Sequence, residues 1–130
     1  MTDYLDRQIG MDEIAGAFGE VTVWASRFGA LLLDNLPLAP DATVLDLGCA
    51  TGFPLFELAH LLGPRSRSVG ADVWTRALEA AERKRRIYRL PNVALAGADG
   101  AALPFRGGSF RVIVSNLGVN NFADPDRVLA

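Results

Sequence analysis

The sequence predicts an α/β fold in which helices cover a doubly wound, mainly parallel sheet. Short apolar segments of strand type alternate with longer segments of helical period, which is typical of parallel strands joined by helices. The first strand-like segment runs directly into a turn of small residues, as expected where a strand leads into a helix at the ligand-binding edge of such a sheet. A length of 130 residues, with 50% hydrophobic and 22% charged residues, fits one compact domain.

Helical period is clear in two long segments. Residues 11–35 carry apolar side chains three or four positions apart, and we expect Trp24 and Phe28 of this segment to lie in the core. The segment L-P-L-A-P that follows ends the helix and leads to the first strand. Residues 75–88 predict a further helix, in which Ile87 is among the residues that we expect to face inward.

The run V-L-D-L-G-C-A-T-G, residues 44–52, predicts a strand, a tight turn and the start of a helix. Gly48 and Gly52 can adopt backbone angles that other residues avoid, and they let a ligand approach the backbone closely. The helix that opens near Phe53 and Pro54 is expected to point its N–H groups at the same place. This arrangement suits a nucleotide-like ligand.

The order acid-x-Gly-x-small-x-Gly in this run resembles motif I of the class I S-adenosylmethionine-dependent methyltransferases, especially the small-molecule branch written VLDLGCGTG. The resemblance implies a Rossmann-like fold with S-adenosylmethionine as the cofactor. Ala50 stands where the family has its middle glycine, and we expect this change to be tolerated because alanine adds only one methyl group. The cofactor contacts implied within the motif are those of Asp46, Gly48, Cys49, Ala50 and Gly52.

Two further aspartates follow predicted strands and match the same family. Asp72 ends the segment R-S-V-G-A-D, and the resemblance gives it the two ribose hydroxyls, with Val73 or Trp74 lying against the adenine. Asp99 and Gly100 begin D-G-A-A-L-P-F, which looks like the family's GDAxxLPF segment. The acid of that segment accepts a hydrogen bond from the adenine amino group.

A fourth segment, residues 109–122, is similar to the family's motif IV, usually S-F-D-x-V-x-S. Arg111 replaces the common aspartate at the start of the predicted strand, away from the ligand. Asn116 and Leu117 follow the strand at its carboxyl end, where open α/β sheets bind ligands, and are further candidates for cofactor contact. The alternative for this amide-rich stretch is a polar turn that satisfies its own backbone.

The resemblance covers four strands of the seven that this family has. We therefore expect residues 1–40 to form a helical lid and residues 41–130 an incomplete cofactor-binding domain, truncated after its fourth strand. The family's strand order, 3-2-1-4-5-7-6, leaves strand 4 as an exposed edge, with Val112 and Val114 on one face and Ile113 on the other. Such an edge favours a homodimer or a strand-exchanged pair.

The function implied is transfer of the methyl group of S-adenosylmethionine to a small-molecule acceptor. Binding that aligns acceptor and methyl group supplies most of the catalysis, so no residue is assigned as a base and no metal is expected. A binding module without turnover stays open as an alternative, as does a plain strand-turn-helix without a ligand. A nicotinamide-dependent oxidoreductase is disfavoured because its G-x-G-x-x-G fingerprint is missing, the next glycine after Gly52 being Gly63.

Composition limits the partners. A net charge of −2 gives no electrostatic footprint for nucleic acid, and the basic run Arg83 to Arg86 is expected to be a solvated helix end. The single cysteine, Cys49, permits no internal disulfide and fits a reducing cytoplasm, where we place the protein. A nucleophilic role for this thiol is disfavoured, since the chain has one histidine. Neither a signal peptide nor a membrane span is predicted.

Overall fold

The computed structural model describes residues 23–130 and confirms the α/β fold. The part of the predicted first helix and of the predicted lid that precedes Val23 lies outside the described residues. Short 3₁₀ turns occupy Gly100–Ala102 and Gly118–Asn121. The helices and strands are α1 (Val23–Asn35), β1 (Thr43–Leu47), α2 (Leu55–Leu62), β2 (Arg67–Asp72), α3 (Thr75–Ile87), β3 (Val93–Gly97), β4 (Val112–Val114) and α4 (Pro125–Leu129).

The four strands form one parallel sheet in the order β3-β2-β1-β4, as predicted. Strand β1 is central: it pairs with β2 from Thr43 opposite Arg67 onward, and with β4 from Val44 opposite Val112 onward. Because all strands run the same way, their carboxyl ends lie at one edge of the sheet. The loops that carry the candidate site residues therefore begin side by side.

Alternation along β1 divides the core into two layers. Val44 packs with residues of α1 and α2, whereas Leu45 and Leu47 pack with Phe105, Phe110, Phe122 and Val128 on the opposite face. Helix α3 joins the first layer, since its Ala81 packs with Leu55 and Phe56 of α2. Three helices thus cover one face of the sheet, and the segments after β3 and β4 cover the other, which is the doubly wound arrangement.

Three aromatic and aliphatic side chains predicted to be buried are exposed. Trp24 and Phe28 are 72% and 44% exposed and stack on each other, with ring centroids 6.3 Å apart. At 100° per residue they lie about 140° and 100° around the helix from Gly29, the residue of α1 that is buried. Ile87 is 73% exposed because it lies about 120° from the buried Ala81 of α3. The prediction that these three residues belong to the core was wrong.

Within residues 23–130, β4 pairs with β1 alone, so its other side is an open edge. Val114 is buried and Val112 packs against the same cluster, while Ile113 on the opposite face is 58% exposed. The predicted distribution of these side chains is confirmed. None of the helices in the described part of the chain is long and apolar enough to cross a membrane.

Candidate functional site

The turn that follows β1, residues 48–52, is here called the glycine loop. Its first two N–H groups, those of Gly48 and Cys49, donate to the Ala71 carbonyl at distances of 2.8 and 3.3 Å. The N–H of Gly52 donates to the Cys49 carbonyl at 2.8 Å and closes the turn. The loop is therefore held against the end of β2 before α2 begins.

Asp72, the last residue of β2, holds the middle of the glycine loop. Its Oδ2 accepts a hydrogen bond of 2.8 Å from the N–H of Ala50, and its Oδ1 accepts one of 2.8 Å from the N–H of Trp74. An ionised carboxylate has about four lone-pair sites, so both oxygens keep capacity for further donors. The side chain is half-buried, so the remaining lone pairs have access to the surface of the cleft.

The two outer glycines of the loop are required by contacts within the protein. Gly48 has φ +72°, and a Cβ there would lie 2.9 Å from the Cα of Gly118 in the turn after β4. Gly52 has φ +108°, and a Cβ there would overlap the ring of Phe56. A Cβ on Gly118 would in turn lie 2.7 Å from the Leu47 carbonyl oxygen. The loop thus packs backbone against backbone on the turn after β4, and against the Phe56 ring of α2, which side chains at these glycines would prevent. Close approach of a ligand to Gly48 and Gly52 stays a prediction.

Ala50 lies between these glycines with φ +44°, in the left-handed region. An alanine in this region has its Cβ close to the following carbonyl oxygen, at a cost of about 1–2 kcal/mol. The sequence comparison with motif I placed a glycine here, and the backbone explains why. The hydrogen bond from Ala50 to Asp72 helps to keep the residue in this conformation.

Asp46 is fully buried beneath the loop, on the side of β1 that faces α2. Neither carboxylate oxygen has a hydrogen-bond partner of good geometry among the described residues. Burial, reinforced by the charge of Asp72, raises the pKa of Asp46 well above its ordinary value, and the nearby backbone N–H of Leu55 offsets only part of this rise. The structure therefore places Asp46 under the loop as a buried support, and not on the open surface of the site.

Cys49 is also closed off, with 1% of its surface exposed. Burial, together with the charges of Asp46 and Asp72, raises the pKa of its thiol far above the usual range. The thiol is thus kept protonated. Its environment opposes the nucleophilic role that the sequence already disfavoured.

The segments after β2 and β3 carry the other predicted residues of the adenosyl side. Val73 is 70% exposed and Trp74 is half-buried. Asp99 caps the 3₁₀ turn, its Oδ1 accepting a hydrogen bond of 2.9 Å from the N–H of Ala101. Its second oxygen makes no hydrogen bond within residues 23–130, and the side chain is exposed. Gly100 packs closely on α4, because a Cβ there would lie 3.1 Å from Val128 Cγ1.

The segment after β4 is hydrogen-bonded both to α1 and to the end of β1. Asn116 Nδ2 donates to the Ala25 carbonyl of α1 at 3.0 Å, and Ser115 Oγ donates to the Leu47 carbonyl at 2.8 Å. Leu117 follows with φ +64°. Gly29 of α1 leaves room for the Phe53 ring, which a Cβ would overlap.

These contacts of Ser115, Gly118 and Gly29 were not predicted. Only the glycines themselves gave a signal in the sequence, and glycine in a helix or an amide-rich turn has many other causes.

A groove of about 740 Å³ lies between α1 and the segment after β4. The described residues that line it carry no charge and include Phe28, Leu31, Leu36, Asn116, Val119 and Asn120. The groove therefore offers apolar surface with amide groups at one side.

Comparison with known proteins assigns this arrangement to a family, because the model of a methyltransferase domain matches residues 38–130. The chain belongs to the methyltransferase domain family. It is 34% identical over 125 residues to nocamycin O-methyltransferase of Saccharothrix syringae, covering 92% of this chain and 43% of that protein. It is 34% identical over 87 residues to demethylmenaquinone methyltransferase of Lactococcus lactis subsp. lactis, covering 67% of this chain and 34% of that protein.

The fold of this methyltransferase domain matches a solved structure as well. An S-adenosylmethionine-dependent methyltransferase from Aquifex aeolicus superposes with a TM-score of 0.80 at 19% identity, covering 91% of this chain and 63% of that one. The domain thus spans between a third and a half of the length of the two curated relatives. Its strands and site loops coincide with the part that the family model describes.

Replacing Ala50 by glycine is expected to stabilise the domain. The free energy gained by removing the left-handed strain exceeds the entropic cost of a more flexible unfolded chain. The net gain in stability is about 0.5–1 kcal/mol. Ala30→Gly, at an exposed position of α1, is the matched control and should cost about 1 kcal/mol through helix propensity. Urea denaturation of both variants gives the comparison, and a loss of stability in Ala50→Gly would contradict the strain argument.

Asp46→Asn is expected to gain stability over the wild type as pH rises. Above the ordinary aspartate pKa the unfolded chain loses a proton that the folded protein keeps, so wild-type stability falls by up to about 1.4 kcal/mol per pH unit until pH passes the raised folded pKa. The asparagine variant lacks this dependence. Denaturation from about pH 4 to 8, with Asp34→Asn on the exposed side of α1 as control, measures it. A difference between Asp46→Asn and wild type that stays constant with pH would show that Asp46 is ionised in the fold.

Proposed function

We propose that this chain is the cofactor-binding part of a methyltransferase that transfers the methyl group of S-adenosylmethionine to a small-molecule acceptor. The observation that carries the proposal is the position of Asp72 and Asp99, which follow or end two adjacent strands at their carboxyl ends, with Asp72 bonded to the glycine loop. Both carboxylates keep acceptor capacity after their own backbone contacts are counted.

The chemistry of these donors and acceptors fits an adenosyl group. A ribose offers two hydroxyl donors, which suit the open lone pairs of Asp72, and an adenine amino group suits the second oxygen of Asp99. The exposed side chain of Val73 supplies apolar surface beside them, with Trp74 next in the chain and Gly100 after Asp99. A carboxylate at the end of the second strand would serve a nicotinamide dinucleotide too, but that ligand also requires the G-x-G-x-x-G turn that this chain lacks.

The glycine loop, together with Asn116 and Leu117, would bind the methionine part of the cofactor. When bound, the cofactor supplies a methyl group already attached to a good leaving group. The protein then has to hold the acceptor in line with that methyl group and exclude water. Asp46 and Cys49 contribute from below by filling the space under the loop.

A small, largely uncharged molecule is the acceptor that the surroundings favour. Among residues 23–130, the side chains that line the groove between α1 and the segment after β4 are uncharged, and Asn116 is one of them. The two curated relatives are named for O-methylation in nocamycin and for methylation of demethylmenaquinone, both small molecules. Assay of labelled methyl transfer against a panel of phenols and quinols, beside a binding measurement, separates turnover from binding alone.

Asp72→Ala is expected to weaken binding of S-adenosylhomocysteine by about 1.5–3 kcal/mol, because a charged acceptor for hydroxyl donors is lost. Calorimetry measures the affinity, and Asp34→Ala removes the same charge from an exposed position of α1. Thermal unfolding accompanies both, since Asp72 also holds the Ala50 N–H. Unchanged affinity in a folded Asp72→Ala variant would remove Asp72 from the site.

We also propose that the open edge of β4 pairs with the same edge of a second copy of this chain. An unpaired strand edge with an exposed Ile113 supports such pairing. Light scattering should then give a dimer for the wild type and a monomer for Ile113→Lys, which puts a charge into the contact. Ile87→Lys makes the same change at an exposed position of α3 and should stay dimeric. A monomeric wild type at high concentration would contradict the pairing.

A further inference from the structure

One cation of the basic run on α3 contacts the glycine loop. Lys84 Nζ donates a hydrogen bond of 3.2 Å to the carbonyl oxygen of Thr51, which is 33 positions away in the chain. Thr51 lies between Ala50, with φ +44°, and Gly52, with φ +108°. The lysine therefore holds the peptide unit between Thr51 and Gly52, within a stretch whose first and last residues both have positive φ.

Lys84 differs from the other cations of the run. Arg85 and Arg86 donate to Glu82 at 2.7 and 2.8 Å, and these hydrogen bonds lower the pKa of Glu82 to about 2. Arg83 is exposed. Lys84 is half-buried, and desolvation lowers its pKa while the charge of Glu57 opposes that change.

The expectation of a wholly solvated run was wrong for Lys84. At 100° per residue it lies about 60° around α3 from the buried Ala81, on the side that faces the core. A buried ammonium group needs a partner, and here the partner is a backbone carbonyl of the loop.

A second contact from the end of α3 supports the same part of the loop. The Tyr88 ring meets the Phe56 ring edge-on, with centroids 5.9 Å apart. The Phe56 ring occupies the space in which a Cβ of Gly52 would lie. The last turn of α3 and the residue after it thus contact both Thr51 and the ring that packs on Gly52.

The opposite side of the loop is held by Asp72 through the N–H of Ala50. Asp72 ends β2 and Lys84 lies in the last turn of α3, so two separate elements hold neighbouring residues of the loop.

We propose that Lys84 is a positioning residue of the cofactor site, which fixes the Thr51 carbonyl and so holds the glycine loop in its binding conformation. The identity of the ligand rests on the proposed function, whereas the restraint of the loop by Lys84 rests on the fold alone. Lys84 does not touch the cofactor in this role. Its loss removes one restraint on the loop between Ala50 and Gly52, and binding then has to supply more of the ordering of their positive-φ conformation.

The test compares Lys84→Met, Lys84→Arg and Arg83→Met. Calorimetry with S-adenosylhomocysteine should show an affinity about tenfold lower for Lys84→Met, wild-type affinity for Arg83→Met, and partial recovery in Lys84→Arg, which keeps a long cationic donor. Hydrogen exchange in the unliganded protein should accelerate in peptides that span residues 48–54 of Lys84→Met while those of β2 and β3 stay unchanged. Lys84→Ala, which also lacks a donor and favours the helix, replaces the methionine variant with the same expected results if that variant does not fold.

Affinity and hydrogen exchange test the proposed function and the restraint of the loop by Lys84 separately. If the wild type does not bind S-adenosylhomocysteine, the proposed function fails, and loop exchange still decides whether Lys84 restrains the loop. Wild-type affinity together with unchanged exchange of residues 48–54 in Lys84→Met would overturn the proposal. An equal loss of affinity and an equal rise in exchange in Arg83→Met would also overturn it, because the effect would then come from loss of a positive charge on α3.

Discussion

The Asp72 carboxylate accepts hydrogen bonds from two backbone amides that belong to different loops, and the geometry of the site depends on it. One amide, that of Ala50, belongs to the glycine loop after β1, and the other, that of Trp74, begins the path from β2 into α3. The same side chain therefore fixes the distance between the two loops and leaves its free lone pairs between them. A neutral side chain in this position would weaken both bonds, because hydrogen bonds to a charged group are about twice as strong.

Close backbone packing is the second constraint, and it explains the distribution of small residues. Gly48 meets Gly118 at the level of the Cα atoms, and Gly29 admits the Phe53 ring between α1 and the loop. Such contacts bring the glycine loop close to the turn after β4 and to α1. Ala50 in the loop and Leu117 in the turn have positive φ, a strained conformation that the surrounding structure has to hold.

The strand order was predicted from the family resemblance and is confirmed, whereas the position of the aspartates at strand ends follows from local pattern. One apolar run ends in Asp72, and the next ends two residues before Asp99, so each carboxylate lies at a strand end. Parallel strands bring those ends together. The burial of Asp46, the tether of Lys84 and the exposure of Trp24 depend instead on contacts between distant segments. Asn116 and Ala25, 91 positions apart, show how far such contacts reach, and no periodicity within one helix or strand encodes them.

The two carboxylates at the ends of β1 and β2 have opposite tasks, which their environments set. Asp46 is enclosed without partners, so burial and the neighbouring charge of Asp72 favour its protonated form. The carboxyl of Asp46 is closed off beneath the loop, whereas Asp72 is the carboxylate that accepts a hydrogen bond from a loop amide. Separate environments for paired acids are a general way to assign different roles to the same chemical group. In this domain the buried acid fills space under the loop, and the half-buried acid presents its oxygens to the cleft.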